Sequence, residues 1–221
     1  MRSTRSVALQ VACASRSTRC ASDQGAPGWD GRLYHDIVGT YTIRVYGDPV
    51  LRQRASEVTA IDGRLASLVD DMVETMYAAP GVGLAATQIG IQKRLFVYDI
   101  GEGPVAVVNP VVSESRGEWS YDEGCLSVPG MSWPIVRPKE VHLQGYDLAG
   151  REISVDADEL LARVFLHEVD HLDGILLVER LDDDQRKAAL KVLRQRVLDK
   201  EEAGVAHGVD SEPRHAVAGE L

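Results

Sequence analysis

The sequence has no long apolar run. Its longest weakly apolar stretch near the start, Val7 to Ala14, is interrupted by Gln10 and is far shorter than the ~20 residues that a membrane helix needs. We therefore expect no membrane-spanning segment. The 221 residues, of which 44% are hydrophobic and 26% charged, have the composition of a soluble globular protein with one domain, or one domain plus tails.

Cysteine and positive charge are also scarce. Cys13, Cys20 and Cys125 are too few and too scattered for a disulfide framework, which indicates a reducing compartment. Cys125 therefore needs another explanation. The formal net charge of −10 argues against a nucleic-acid-binding surface.

Composition divides the chain into a central domain and two tails. Residues 1–39 are rich in Ser, Arg, Ala and Gly without helical or strand periodicity, which predicts a disordered N-terminal extension. This basic, Ser-rich stretch also fits an organelle transit peptide, and Ala12-Cys13-Ala14 resembles a secretory cleavage site. We favour a solvated tail on a cytoplasmic protein over organelle import or secretion. Residues 40–200 are expected to form the folded domain, and residues 201–221 a disordered C-terminal tail.

Apolar periodicity predicts three helices. From Ile61 to Met76 the apolar residues recur at three- and four-residue steps, and the pattern ends at Pro80-Gly81, where proline cannot continue a helix. The other two helices are expected from near Asp156 or Asp158 to Gly174, and over about Asp183 to Lys200.

Short runs rich in Val, Ile, Leu, Phe and Tyr predict the strands. They cover residues 94–100, 105–112, 140–146 and 152–155, the last two joined by a turn. Because strands and helices do not alternate regularly, the prediction is an α+β fold. We expect antiparallel or mixed strands around the second helix, with the third helix at the C-terminus.

The second predicted helix carries a metal-binding pattern, His167-Glu168-Val169-Asp170-His171. Residues four apart lie on one face of a helix, so both imidazoles can point at one ion with Glu168 beside them. A catalytic site of this kind has three protein ligands and an open position. A lone cysteine is more often a small buried side chain, but beside a histidine pair that needs a third ligand we favour the Cys125 thiolate over an acidic residue after the helix such as Glu179.

The segment from Gly81 to Gln88 superficially matches a dinucleotide-binding fingerprint. That fingerprint requires a preceding strand, whereas here a long helix and Pro80 come first, so we reject it. Glycines at 81 and 83 allow a backbone to approach a bound molecule closely, and the Gln88 amide could donate to an oxyanion. The alternative is a plain helix-to-strand turn with Gln88 exposed.

Three segments together resemble the peptide deformylases, and they occur in the same order and spacing as that family's motifs. The segments are Gly81 to Gln88, Glu123-Gly124-Cys125-Leu126-Ser127 and His167 to His171, and Tyr46 to Arg52 resembles the family's opening segment. The resemblance spans Thr40 to Leu181. It implies that the predicted folded domain, residues 40–200, is a catalytic domain. It implies a metal-dependent hydrolase that removes the N-formyl group from N-formylmethionyl nascent polypeptides and releases formate.

The resemblance also implies a role for each motif residue. Cys125, His167 and His171 would hold one divalent metal ion per chain, with Fe(II) favoured and Zn(II), Ni(II) or Co(II) also accepted by these ligands. Glu168 would be the general base that transfers a proton from the attacking water to the leaving amine. The other groups would be Gln88 and the backbone N–H of Leu126, which stabilise the oxyanion, and Gly83, which binds substrate.

Two other functions use the same helix. A zinc endopeptidase would take an acidic ligand such as Glu179 and would not need Cys125. A structural zinc module would need a fourth protein ligand, for which Cys13 and Cys20 are the spare thiols.

The third predicted helix carries a basic stripe on an otherwise acidic chain. Of the surfaces of the chain, this stripe is the best suited to dock on the ribosome, where nascent chains emerge. The alternative is an ordinary solvated helix face, and the nearby acids Asp182, Asp183, Asp184 and Asp199 favour it. The residues of the stripe are Lys187, Lys191, Arg194 and Arg196.

Overall fold

The computed structural model describes residues 40–206. The predicted extension, residues 1–39, and residues 207–221 of the predicted tail lie outside the described residues. The helices are α1 (Gly63–Ala78), α2 (Glu159–Leu172) and α3 (Asp183–Ala206). The strands are β1 (Gly83–Ala85), β2 (Leu95–Tyr98), β3 (Val105–Arg116), β4 (Trp119–Gly124), β5 (Ser132–Arg137), β6 (Glu140–Tyr146) and β7 (Glu152–Asp158).

The strands form one five-stranded sheet and one separate hairpin. The sheet has the order β1-β2-β3-β6-β7, the hairpin consists of β4 and β5, and every pairing is antiparallel. The predicted α+β class is therefore confirmed. Among the described helices, none has both the length and the apolarity needed to cross a membrane.

Helix α1 begins where the sequence offers a capping side chain. Asp62 accepts hydrogen bonds from the backbone N–H groups of Arg64 (3.1 Å) and Leu65 (3.0 Å), which satisfies donors that have no partner within the helix. The apolar face of α1 then packs on the sheet around β1, β2 and β3. This part of the core contains Leu65, Leu68, Val69, Met72, Met76, Leu84, Leu95, Val97 and Val108.

Helix α2 covers the other part of the sheet core. Its Phe165 ring lies 6.0 Å from the Phe96 ring and 5.1 Å from the Tyr98 ring, measured between centroids. The helix begins at Glu159, because β7 continues to Asp158 and pairs there with Glu140 of β6. The predicted start near Asp156 is therefore wrong, whereas Asp158 is the residue directly before the helix.

The β4–β5 hairpin and β1 were not predicted. The hairpin pairs Trp119 with Arg137 at one end and Gly124 with Ser132 at the other. Most of its side chains are exposed or half-buried, so the strands lack the apolar alternation that identifies a strand in sequence. Strand β1 has only three residues, and they are all buried.

Helix α3 packs its apolar side against a third group of buried residues. Ala189 and Leu193 are buried with Leu51, Leu177 and Val178. The helix extends to Ala206, past the predicted end at Lys200. The first six residues of the predicted tail, 201–206, are thus helical.

Candidate functional site

Two parts of the fold bring three metal-ligand side chains together. Cys125 follows the last residue of β4, and His167 and His171 are one turn apart on α2. Cys125 Sγ lies 3.1 Å from His171 Nε2, and the ligand atoms of all three residues lie within 4.8 Å of one another. Ligands of one ion, bound at about 2.0–2.3 Å, are separated from each other by roughly 3–4 Å. The set therefore fits a single divalent ion.

The Cys125 side chain has the charge state that a metal ligand needs. Burial raises the pKa of the Cys125 thiol, but the neighbouring His171 and His167 charges and hydrogen bonds outweigh this effect and hold the pKa well below its usual range. A thiolate is the form of cysteine that binds metals. Among the described residues, no other group of three His, Cys, Asp or Glu side chains lies as close together.

A buried carboxylate orients His167. Glu123 Oε1 lies 2.6 Å from His167 Nδ1, which leaves His167 Nε2 free to face the ion. Burial raises the pKa of Glu123, but its contacts with His167 and Arg137 lower that pKa far more, so the carboxylate is ionised. Arg137 and Arg163 both donate to it.

Glu123, Arg137 and Arg163 were missed by sequence reasoning. Glu123 stands two residues before Cys125 in one of the recognised segments, but nothing in its local pattern distinguishes a buried acid from an exposed one. Its two arginine partners come from other segments: Arg137 reaches it across the β4–β5 hairpin, and Arg163 reaches it from α2.

Glu168 lies beside the ligand set in a buried position. Only 3% of the residue is exposed, and burial raises the pKa of Glu168 to about 7. Its Oε2 atom has no hydrogen-bond partner among the described residues. Because residue 83 is a glycine, the Glu168 carboxylate can lie directly against its backbone. A Cβ atom at residue 83 would lie 3.0 Å from Glu168 Cδ and would clash with a carboxylate oxygen of Glu168.

Gln88 is buried rather than exposed. Its Oε1 accepts a hydrogen bond from the Ala85 backbone N–H (2.8 Å), and its Nε2 donates to Ser127 Oγ (3.2 Å). The same Nε2 lies 3.9 Å from Cys125 Sγ. The alternative of a solvent-exposed Gln88 on a plain turn is therefore wrong, and its amide N–H groups point toward the metal ligands.

A cavity of about 710 Å³, the site cavity, opens beside the ligand set. Cys125, His167, Glu168, Gln88 and Gly83 all line it. The rest of its wall includes the apolar residues Ile43, Leu126, Met131, Leu160 and Val164. Of the residues expected to act in the reaction, His171 alone does not line the cavity; it is buried and in contact with Cys125.

The competing ligand sets find no support in the described residues. The Glu179 carboxylate pairs with Arg52 and is not part of the metal-ligand group. Cys13 and Cys20, the spare thiols of a structural zinc module, lie outside the described residues.

Comparisons with known proteins agree with the motif resemblance. A family model described as polypeptide deformylase matches residues 40–187. A peptide deformylase of Clostridium botulinum is 51% identical over 138 residues, which cover 62% of this chain and 94% of that protein. A peptide deformylase of Acidothermus cellulolyticus is 47% identical over 153 residues, covering 69% of this chain and 85% of that protein.

Solved structures show the same relationship. The peptide deformylase of Thermus thermophilus superimposes with a TM-score of 0.69 at 42% identity, covering 74% of this chain and 99% of that one. The peptide deformylase of Synechococcus elongatus in complex with actinonin gives a TM-score of 0.66 at 39% identity, covering 68% of this chain and 86% of that one. The predicted family and enzyme class are thus confirmed, and the endopeptidase alternative is not favoured. This chain belongs to the polypeptide deformylase family, whose members remove the N-formyl group from nascent polypeptides.

Proposed function

We propose that the site cavity binds the N-formylmethionyl end of a nascent polypeptide and that Cys125, His167 and His171 hold the metal ion of the reaction. The products are formate and a free N-terminal amine. The observation that carries this proposal is the position of Glu168, a buried carboxylate without a protein partner at its Oε2 among the described residues, beside a three-ligand set in the wall of one cavity.

The three proposed ligands restrict which metal ions can bind, but they do not select one ion. One thiolate and two imidazoles accept Fe(II), Zn(II), Ni(II) or Co(II). A divalent ion bound by them would act as a Lewis acid and lower the pKa of a coordinated water. We favour Fe(II) from the family resemblance. Metal analysis of protein purified without oxygen tests this choice, since a thiolate bound to Fe(II) is open to oxidation.

The proton-transfer and oxyanion roles follow from the positions of the neighbouring groups. Glu168 takes a proton from the attacking water and delivers it to the leaving nitrogen, and a pKa near 7 suits both steps. Gln88 Nε2 and the Leu126 backbone N–H donate to the oxygen of the formyl group as negative charge develops there. Ala85 and Ser127 hold the Gln88 amide in that orientation.

The remaining walls of the cavity fit the rest of the substrate. The apolar side chains of Met131, Leu160 and Val164 offer a surface for the methionine side chain. The substrate backbone runs along Gly83, because β1 pairs only with β2 within the described part of the sheet and so leaves an edge to which an extended peptide can be added.

A substrate comparison tests the proposed activity. The protein should release formate from a formyl-methionyl peptide and leave internal peptide bonds intact. Cleavage of internal bonds without formate release would instead establish an endopeptidase.

Replacing Gln88 by Ala should lower kcat by about 10²–10³-fold if its amide stabilises the oxyanion. Metal content should remain that of the wild type, because Gln88 is not a ligand. Ser127→Ala, which removes only the hydroxyl that accepts from Gln88, should cost much less. Formate release measured at saturating substrate makes the comparison, and a wild-type kcat for Gln88→Ala would remove Gln88 from the mechanism.

We further propose that α3 docks on the ribosome through Lys187, Lys191 and Arg194. These residues are exposed and stand at four- and three-residue steps, so they share one face of the helix. Arg196 departs from the predicted stripe, because its Nη1 donates to the Pro129 carbonyl (2.8 Å) and so reaches toward the domain. We place this action in the cytoplasm; import into an organelle, which would also contain ribosomes, is the alternative for residues 1–39.

Charge reversal tests the docking surface. The triple substitution Lys187→Glu, Lys191→Glu and Arg194→Glu should abolish co-sedimentation with ribosomes at low salt. Reversing three exposed basic residues elsewhere gives a control with the same change in net charge, and this variant should still co-sediment; its positions are Arg64, Lys93 and Arg116. Equal loss in both variants would show a general charge effect, and no loss in the α3 variant would exclude this surface.

A further inference from the structure

Arg163 is a buried arginine that fastens α2 to β4 at two points. Its Nη1 donates to Glu123 Oε2 (2.7 Å), and its Nη2 donates to the Trp119 carbonyl (2.7 Å). Residues 119 and 123 lie at opposite ends of β4, so one guanidinium reaches both ends of the strand. Only 3% of Arg163 is exposed to solvent.

Two aromatic rings cover the Arg163 guanidinium. Its Cζ lies 5.1 Å from the centroid of Trp119 and 5.8 Å from that of Tyr121, and the two rings stack at 4.8 Å. A cation over an aromatic face is attracted to it, more strongly when water is excluded. The rings therefore add to the two hydrogen bonds in favouring one orientation of the guanidinium.

Glu123 pairs with Arg163 as well as with Arg137, and the charges around it explain why Arg137 alone does not balance its charge. Arg137 donates to Glu123 and also to Asp170 Oδ2 (2.8 Å), so its charge is shared between two carboxylates. Asp170 also accepts from Arg180. A buried charge without a partner is costly, so each member of such a network constrains the others. Within the described residues, Arg163 makes its ion pair with Glu123 alone.

The metal-ligand set depends on how the hairpin lies against α2. Cys125 extends from the end of β4, whereas His167 and His171 belong to α2, which packs on the five-stranded sheet. Any shift between the hairpin and the helix changes the distance from Cys125 Sγ to the imidazoles. Arg163 lies one turn before His167 on α2, and both side chains meet the same Glu123 carboxylate.

We propose that Arg163 is a positioning residue of the metal site. It holds β4 against α2 and, through Glu123, fixes the imidazole of His167, so that the three ligands stand at ion-binding distance before an ion binds. This inference rests on the proposed function only in taking Cys125, His167 and His171 as the metal ligands. Groups that orient metal ligands in this way typically contribute about 10–100-fold to metal affinity or activity.

Metal affinity measured without substrate tests this role. Arg163→Met keeps much of the side-chain volume and removes both anchors, and its apparent Kd for Zn(II), measured by competition with a chromogenic chelator, should rise by about 10–100-fold. Arg94→Met is the matched control. Arg94 is also buried, and it pairs with Asp173 (2.7 Å) and the Pro110 carbonyl, but it contacts none of the three ligands. This control should lose thermal stability and keep the wild-type Kd.

Two further variants separate positioning from general stability. Glu123→Gln should weaken Zn(II) binding, and the double variant with Arg163→Met should lose less than the two single losses combined, since part of the effect of Arg163 passes through Glu123. Arg163→Lys should fold, because it retains the charge, but its single ammonium nitrogen replaces a rigid fork of two nitrogen donors, so its Kd should lie between those of the wild type and Arg163→Met. With Co(II) in place of Zn(II), the thiolate-to-metal absorption band should shift in both Arg163 variants.

The Zn(II) affinities of these variants decide whether Arg163 positions the metal ligands. A wild-type Zn(II) affinity in Arg163→Lys and in any folded Arg163→Met, or independent losses in the double variant, would make Arg163 a structural residue only. Cys125→Ala, which removes a proposed metal ligand, is the positive control for loss of Zn(II) binding. If it too bound Zn(II) like the wild type, the proposed metal site would be wrong, whereas a loss in Cys125→Ala with none at Arg163 would overturn this inference alone.

Discussion

Replacing Glu168 by Gln should leave the metal bound and lower kcat by about 10²–10⁴-fold, the usual effect of losing a general base. Glutamine has the same shape as glutamate, so it fits the buried space beside Gly83 without disturbing His167 or His171. It has no carboxylate to accept a proton from water. Formate release at saturating substrate gives kcat, and elemental analysis of the same preparation gives the metal content.

An exposed glutamate provides the control for this substitution. Glu74→Gln on α1 makes the same chemical change at an exposed position outside the site cavity, and it should leave kcat unchanged. Loss of metal together with activity in Glu168→Gln would mean that Glu168 is a ligand or a structural support. A wild-type kcat would exclude it as the base.

The part of the site on α2 could be predicted because its signals are local. The apolar period of the helix and the four-residue separation of His167 and His171 are both properties of one continuous segment. Cys125 could be favoured only together with the histidine pair, which needs a third ligand, because a lone cysteine in sequence is more often a small buried side chain. The family resemblance then implied the same ligand. The structure adds the reason for its ionisation, which is the approach of His171 from α2.

The groups that hold these ligands could not be predicted from local pattern. Glu123, Arg137 and Arg163 are charged residues, which are rarely buried unless they are paired. Their pairing depends on the β4–β5 hairpin, whose strands have mostly exposed or half-buried side chains and so lack a clear strand pattern. Sequence reasoning therefore identified residues that would contact an ion and missed those that orient them.

The errors at element boundaries arise from competing local signals. Asp156 and Asp158 both suit a helix N-terminus, but pairing with β6 extends β7 to Asp158 and delays α2 to Glu159. Helix α3 passes its predicted end at Lys200 because the helix formers Glu201, Glu202 and Ala203 follow directly. In both cases the sequence pattern identified the element, and backbone hydrogen bonding decided its length.

Replacing Cys125 by Ala should remove the metal or leave it weakly bound, and activity should fall with it. Only the two imidazoles of His167 and His171 would remain, one donor fewer than the three protein ligands of a typical catalytic site. The Cys125 thiolate is also the only anionic group among the three proposed ligands, so its loss leaves two imidazoles facing an incoming cation without a negative ligand.

Metal content per chain and formate release, measured on the same preparation, check this expectation. Cys13→Ala and Cys20→Ala are matched controls, since they delete the other two thiols of the chain and should retain both metal and activity. Added metal should not restore Cys125→Ala to the wild-type rate, because the missing donor lies in the protein and not in solution. Full metal content and full activity in Cys125→Ala would instead require a different third ligand, and they would return Glu179, now paired with Arg52, to consideration.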